Sequence, residues 1–128
     1  MKENLVYKKA FRFSVRMVNL YKYLKENKGE YVISKQVLRS STSIGANIKE
    51  GIVAQSKKDF LSKMYIALKE ASETEYWIEL LKETEYIDEK TFHSVIEDCR
   101  EINRILCATV RTTKKRLQQN WELKFKEQ

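Results

Sequence analysis

Residues 40–51 read Ser-Ser-Thr-Ser-Ile-Gly-Ala-Asn-Ile-Lys-Glu-Gly, and the fold turns on how this run of mostly small residues is read. Ser, Thr, Asn and Gly all weaken a helix interior. Yet Val37, Ser41, Ile44, Ile48 and Ile52 recur at steps of three and four, the spacing of one helix face. The run is therefore the second half of a helix from about Ser34 to about Gly51, held by tertiary packing rather than by propensity. Small side chains let a helix approach its neighbours closely, so their clustering predicts crowding on more than one side. Gly45 has an alternative reading as a kink, given the helix cost of Gly relative to Ala.

Outward from this run, three further helices are legible. Val6, Ala10, Phe13, Met17, Leu20 and Leu24 make one apolar stripe between about Leu5 and Glu26, and Asn27, Lys28 and Gly29 supply a stop. Phe11, Val15 and Val18 form a second, shorter stripe beside it. Ser56-Lys57-Lys58-Asp59 resembles a capping box and opens a third helix to about Thr84. Phe60, Met64, Ala67, Ala71, Thr74, Ile78 and Leu81 lie on its inner face, and Leu61, Tyr65 and Leu68 extend that face sideways. Asp88 caps a fourth helix through Phe92, Val95, Cys99, Ile102, Leu106, Thr109, Thr113 and Leu117. Trp121 and Phe125 share a face with Leu117, so this helix can continue into the tail.

A chain of 128 residues with no proline and three glycines points to one all-α domain. Short connections make the expected fold an antiparallel up-down-up-down four-helix bundle over residues 1–117, followed by a basic aromatic tail at 118–128. No stretch approaches the ~20 apolar residues of a membrane span, and the N-terminus lacks the apolar core of a signal peptide. A cytoplasmic location is expected. Cys99 and Cys107 would lie roughly 12 Å apart on one helix, too far for a disulfide, and read as two small buried apolar residues. With His93 the only histidine, no metal or cofactor is indicated.

The net charge of +7 is unevenly spread. Residues 1–30 carry +5 and residues 31–58 carry +4, residues 59–110 carry −6, and residues 111–128 carry +4. In the expected topology the start of the first helix, the joint between the second and third, and the end of the fourth share one pole. Lys8, Lys9 and Arg12 meet Lys49, Lys57 and Lys58 there, with Arg111, Lys114, Lys115 and Arg116. Such a pole attracts phosphates without base specificity; the plainer alternative is a solvated surface that keeps the protein soluble. Trp121 and Phe125 sit among Arg116, Lys124 and Lys126, where they would stack on unpaired bases, lengthen the apolar face, or bury against another subunit.

Ser43-Ile44-Gly45-Ala46-Asn47-Ile48-Lys49-Glu50-Gly51 resembles the signature of the bacterial four helix bundle proteins, also called 23S rRNA intervening-sequence proteins. Ser56-Lys57-Lys58-Asp59-Phe60, Ile66-Ala67-Leu68-Lys69-Glu70-Ala71 and Glu73-Thr74-Glu75-Tyr76-Trp77 are similar to the family's third helix, and Phe13-Ser14-Val15-Arg16 and Tyr86-Ile87-Asp88 also fit. The resemblance covers roughly residues 8–115. It implies an antiparallel bundle assembled as a homopentameric ring, and a related branch acts as accessory partner to the reverse transcriptase of diversity-generating retroelements. No enzymatic activity is implied.

The second stripe of Phe11, Val15 and Val18, with Ser43, Gly45, Ala46, Asn47 and Glu50, is the candidate surface for oligomer contacts or tight helix packing. Asn47 and Glu50 would bond across a subunit seam or between helices. Glu73, Glu75 and Glu79 lack a histidine partner and read as a solvated helix face rather than an acid–base or metal site. The expected function is a non-enzymatic oligomer that binds RNA or DNA through its basic pole. The alternative is a protein-interaction scaffold, such as a partner of a reverse transcriptase.

Overall fold

The computed structural model describes the backbone of residues 2–127 and the side-chain surroundings of residues 5–127; Met1 and Gln128, which bound the two expected segments, lie outside the described residues. Four helices follow in order: α1 (Lys2–Lys28), α2 (Ile33–Ile52), α3 (Lys57–Glu83) and α4 (Glu89–Glu127). Each packs against its chain neighbours, and a sparser α1–α4 seam closes the ring. Tyr7 meets Lys49, Ser40 meets Thr74, and Glu75 meets Asn103, so successive helices run antiparallel. The packing is that of an up-down-up-down bundle.

The apolar stripe of α1 is buried at all six expected positions. Gly29, in the left-handed region at φ 63°, ends the helix where a side chain would be strained. What starts α2 was not legible as a cap. Glu30 folds back beneath the new helix, and its carboxylate accepts from the N–H groups of Val32 (2.9 Å), Ile33 (3.0 Å) and Ser34 (2.7 Å). Ser34 Oγ returns a bond to the Glu30 carbonyl at 2.8 Å. Those donors are the orphans every helix start leaves, and they explain why an acidic side chain only 6% exposed is tolerated.

Helical structure in α2 is unbroken through Gly45. The polar run can be buried because its hydroxyls bond the preceding turn: Ser41 to the Leu38 carbonyl (3.2 Å), Thr42 to the same carbonyl (2.8 Å) and Ser43 to that of Arg39 (2.8 Å). Crowding comes from both sides, as expected. Gly45 lies against Ala10 and Ser14 of α1, and Gly51 against Phe60, Lys63 and Met64 of α3.

Ser56 caps α3 as expected, accepting from the Asp59 N–H at 3.1 Å, and Asp88 accepts from the Thr91 N–H at 2.7 Å at the start of α4. The inner face of α3 is buried from Met64 to Leu81, with Phe60, Leu61 and Leu68 partly buried against the core. Helix α4 is the outlier in length. Its last buried residue is Val110; Thr113 and Leu117 are half-buried, and from residue 118 onward every described side chain is exposed. The helix nevertheless continues to Glu127, reaching past the start of α1 and the end of α2.

Two expectations are corrected. Cys99 is buried, its Sγ donating to the Ala71 carbonyl at 3.5 Å, and burial pushes its thiol up to about 12. Cys107 is exposed, because α4 turns it into the groove outside the α3–α4 seam. The α3 acids are not simply solvated. Glu73 accepts from Arg39 and from Trp77 Nε1 (2.8 Å), Glu75 accepts from Asn103 Nδ2 (3.0 Å), and Glu79 lies 3.7 Å from Arg100. No helix among the described residues is long and apolar enough to cross a membrane.

Candidate nucleic-acid interface

The pole where α1 begins and α2 ends gathers side chains from all four helices. Lys49, in the last turn of α2, holds its Nζ 4.9 Å from the Tyr7 ring centroid. Lys114 of α4 sits 5.4 Å over the ring of Tyr65 on α3. Each ring face attracts its cation through the quadrupole and fixes an otherwise mobile lysine. Leu5 and Arg116 line one groove with Ile105, Thr109 and Thr112, placing Arg116 beside the start of α1. Lys8 and Arg12 border a shallow depression with Tyr7 and Phe11. Lys57 and Lys58 occupy the exposed first turn of α3, and Arg111 and Lys115 are exposed on α4.

Of the ten basic residues assigned to this pole, Lys9 is neutralised by an ion pair with Glu101, whose carboxyl the ammonium holds below its usual value. Among the described residues, none of the other nine forms an ion pair. Further along the bundle the contrast is plain. Arg16 is bound to Asp98 at 2.6 Å, Arg39 to Glu70 and Glu73, and Arg100 to Glu79. Several acids of residues 59–110 are thus paired along the bundle with cations other than these nine.

The residues singled out for oligomer contacts divide by direction. Phe11 and Val15 are exposed and Val18 is half-buried, so the second stripe does face outward. Gly45 faces inward, and Ala46 is exposed on the outer side of α2. Asn47 Nδ2 donates within α2 to the Ser43 carbonyl at 2.8 Å, and Glu50 takes Lys63 Nζ of α3 at 2.9 Å. Glu50 thus has its partner within the chain. The Tyr7 and Tyr65 shelves are not legible in the sequence, where a lone tyrosine gives no sign of the cation that another helix brings.

Among the described residues no group of three or more His, Cys, Asp or Glu side chains is placed to hold a metal ion. The α3 carboxylates from which acid–base chemistry would be built are engaged in inter-helix bonds. His93, 3.2 Å from Glu89, is exposed.

The sequence pattern of the 23S rRNA-intervening sequence protein family matches residues 2–108. A solved structure of a protein with unknown function from the S23 ribosomal protein family of Bacteroides thetaiotaomicron VPI-5482 is 54% identical, with a TM-score of 0.85, and the match covers 87% of this chain and 99% of that one. Among curated proteins none matches significantly.

Proposed function

This chain belongs to the 23S rRNA-intervening sequence protein family, and on that premise we propose that it is an oligomer that binds nucleic-acid backbone through its basic pole. What supports this reading is that, among the described residues, nine of the ten basic side chains assigned to the pole, drawn from four helices, form no ion pair. Lysines and arginines left without acidic partners gain most from phosphates, because binding releases the counterions condensed on the nucleic acid. Such contacts read no bases. The homopentameric ring drawn from the resemblance would multiply the effect by setting several poles side by side, with the exposed Phe11 and Val15 covered between copies. The scaffold reading, including service to a reverse transcriptase, draws on the resemblance alone.

Electrophoretic binding of a mixed-sequence RNA and DNA across a salt series tests the proposal. Affinity should fall steeply as salt rises. Changing Lys57, Lys58, Lys114 and Lys115 together to Glu should abolish binding and leave the helical content and the mass unchanged. Binding that ignores salt, or that survives the four reversals, would remove the pole from consideration.

A further inference from the structure

Beyond Val110, α4 carries three large apolar side chains into open solvent: Trp121 (64% exposed), Leu123 (58%) and Phe125 (67%). Residues 109–127 lie past the matched family pattern, so this stretch is not part of what that pattern describes. We propose that the projecting end of α4 is a stacking platform for unpaired bases, so that the protein prefers single-stranded nucleic acid to duplex. The inference rests on the backbone-binding reading above and names the form of nucleic acid which that pole takes.

The geometry has three parts. Trp121 and Phe125 are one helical turn apart on the same side, with ring centroids 6.1 Å apart and planes at 63°. They meet edge to face, a contact that leaves broad ring surface of both in solvent and open to a base. Second, α3 and α4 run antiparallel in register, with Asn103 level with Glu75 and Lys114 level with Tyr65. Continued at that register, Trp121 comes level with Lys57 and Lys58 in the first turn of α3. Bases at the rings and phosphates at the lysines are then neighbouring demands of one strand. Third, cations surround the rings: Arg111, Lys114, Lys115 and Arg116 precede them on α4, and Lys124 and Lys126 lie among them, offset there by Glu122 and Glu127.

Size and charge decide between occupants. A face of Leu117, Trp121 and Phe125, at about 150–250 Å² for each ring, falls short of the ~800 Å² per partner of a stable protein interface. A membrane-surface helix needs a broad apolar face; here Lys124 and Glu122 flank a strip one residue wide. A single strand needs what is present, cations that track phosphates and rings on which any base can stack. In a duplex the bases already stack on one another and cannot reach the rings.

The test compares three labelled oligonucleotides of equal length by fluorescence anisotropy: a single strand, its duplex, and an abasic single strand with the same phosphates. The native protein should bind the single strand more tightly than the other two. Trp121→Ala with Phe125→Ala should lower single-strand affinity about tenfold or more, to the abasic level, with duplex and abasic binding unchanged. Both side chains are exposed, so unchanged circular dichroism is expected and excludes misfolding. Equal affinity for intact and abasic strands overturns the inference while leaving the backbone-binding reading intact; absence of binding to all three at low salt overturns both. A double variant whose lost property is instead subunit number by light scattering, or binding to phosphatidylglycerol vesicles, assigns the tail to a second copy or a membrane and also overturns it.

Discussion

Thr74 Oγ1 lies 2.8 Å from Ser40 Oγ, joining by a hydrogen bond two hydroxyls with no solvent exposure across the α2–α3 seam, and 2.8 Å from the Glu70 carbonyl of its own helix. Ser40 has only a long alternative, the Val37 carbonyl at 3.4 Å, so it depends on its partner. Thr74→Val keeps the shape and removes the bond, and should cost about 1 kcal/mol in urea unfolding. Adding Ser40→Ala should recover much of that loss, because no buried polar group is then left without its partner. Strictly additive losses in the double-mutant cycle would show the hydroxyls to be energetically independent.

The two helix-facing glycines of α2 should respond with opposite signs. A Cβ on Gly45 would meet Ser14 Oγ at 3.6 Å and Ala10 at 3.8 Å, which are ordinary contacts. Gly45→Ala should therefore be neutral or stabilise by up to ~1 kcal/mol, the helix propensity of Ala over Gly. On Gly51 the same atom would overlap Met64 Cε and press Lys63 Cβ at 3.2 Å. Met64 is fully buried and has little room to move, so Gly51→Ala should cost about 1 kcal/mol or more after the propensity gain. Thermal melts of the two variants shifting in the same direction would contradict this assignment.

Glu30 supplies a pH dependence. Burial by itself would raise its carboxyl, and the N–H bonds from Ser34, Val32 and Ile33 outweigh it, holding the group below its ordinary 4.5. A carboxyl depressed in the folded state stabilises it fully above the unfolded value, and that contribution is lost as pH falls through the folded value. Glu30→Ala should cost about 1 kcal/mol near neutrality as a lost cap. The gap between wild type and variant should close as the pH is lowered below 4.5. Urea midpoints measured for both proteins across that range check the sign; a gap that widens in acid would refute it.

These residues show what the sequence could and could not reveal. Periodicity is a property of one helix, so the buried stripes of α1 and α3 and the continuation of α4 past Leu117 were legible without coordinates. The Ser56 and Asp88 caps were legible because donor and acceptor lie within four residues on known patterns. Glu30 sits equally near its donors, but it caps from the turn preceding the helix, where a surface acid looks the same in sequence. The ion pairs of Arg39 and Arg100 with α3 depend on which helix faces which, and charge counting saw only an acidic segment. The basic pole required topology as well as composition. Short joints supplied that topology, whereas the loss of Lys9 to Glu101 required the side chains.

Ala46 decides how the outer face of α2 is used. It is the small residue of the run that turns outward, so the chain alone has room for a larger side chain there. Ala46→Leu should change the unfolding free energy of the dilute chain by no more than ~0.5 kcal/mol, as for an ordinary surface position. In a ring whose copies pack against this face, the added bulk would overfill the contact and cost about 1–3 kcal/mol per site. Light scattering over a dilution series should then show Ala46→Leu dissociating at concentrations where the native protein stays assembled. Phe11→Ser should act in the same direction by removing an exposed ring from the neighbouring stripe. If neither substitution shifts the mass while both leave the fold intact, the copies meet elsewhere, and the seam between α1 and α4 around Leu5 and Ile105 becomes the surface to alter next.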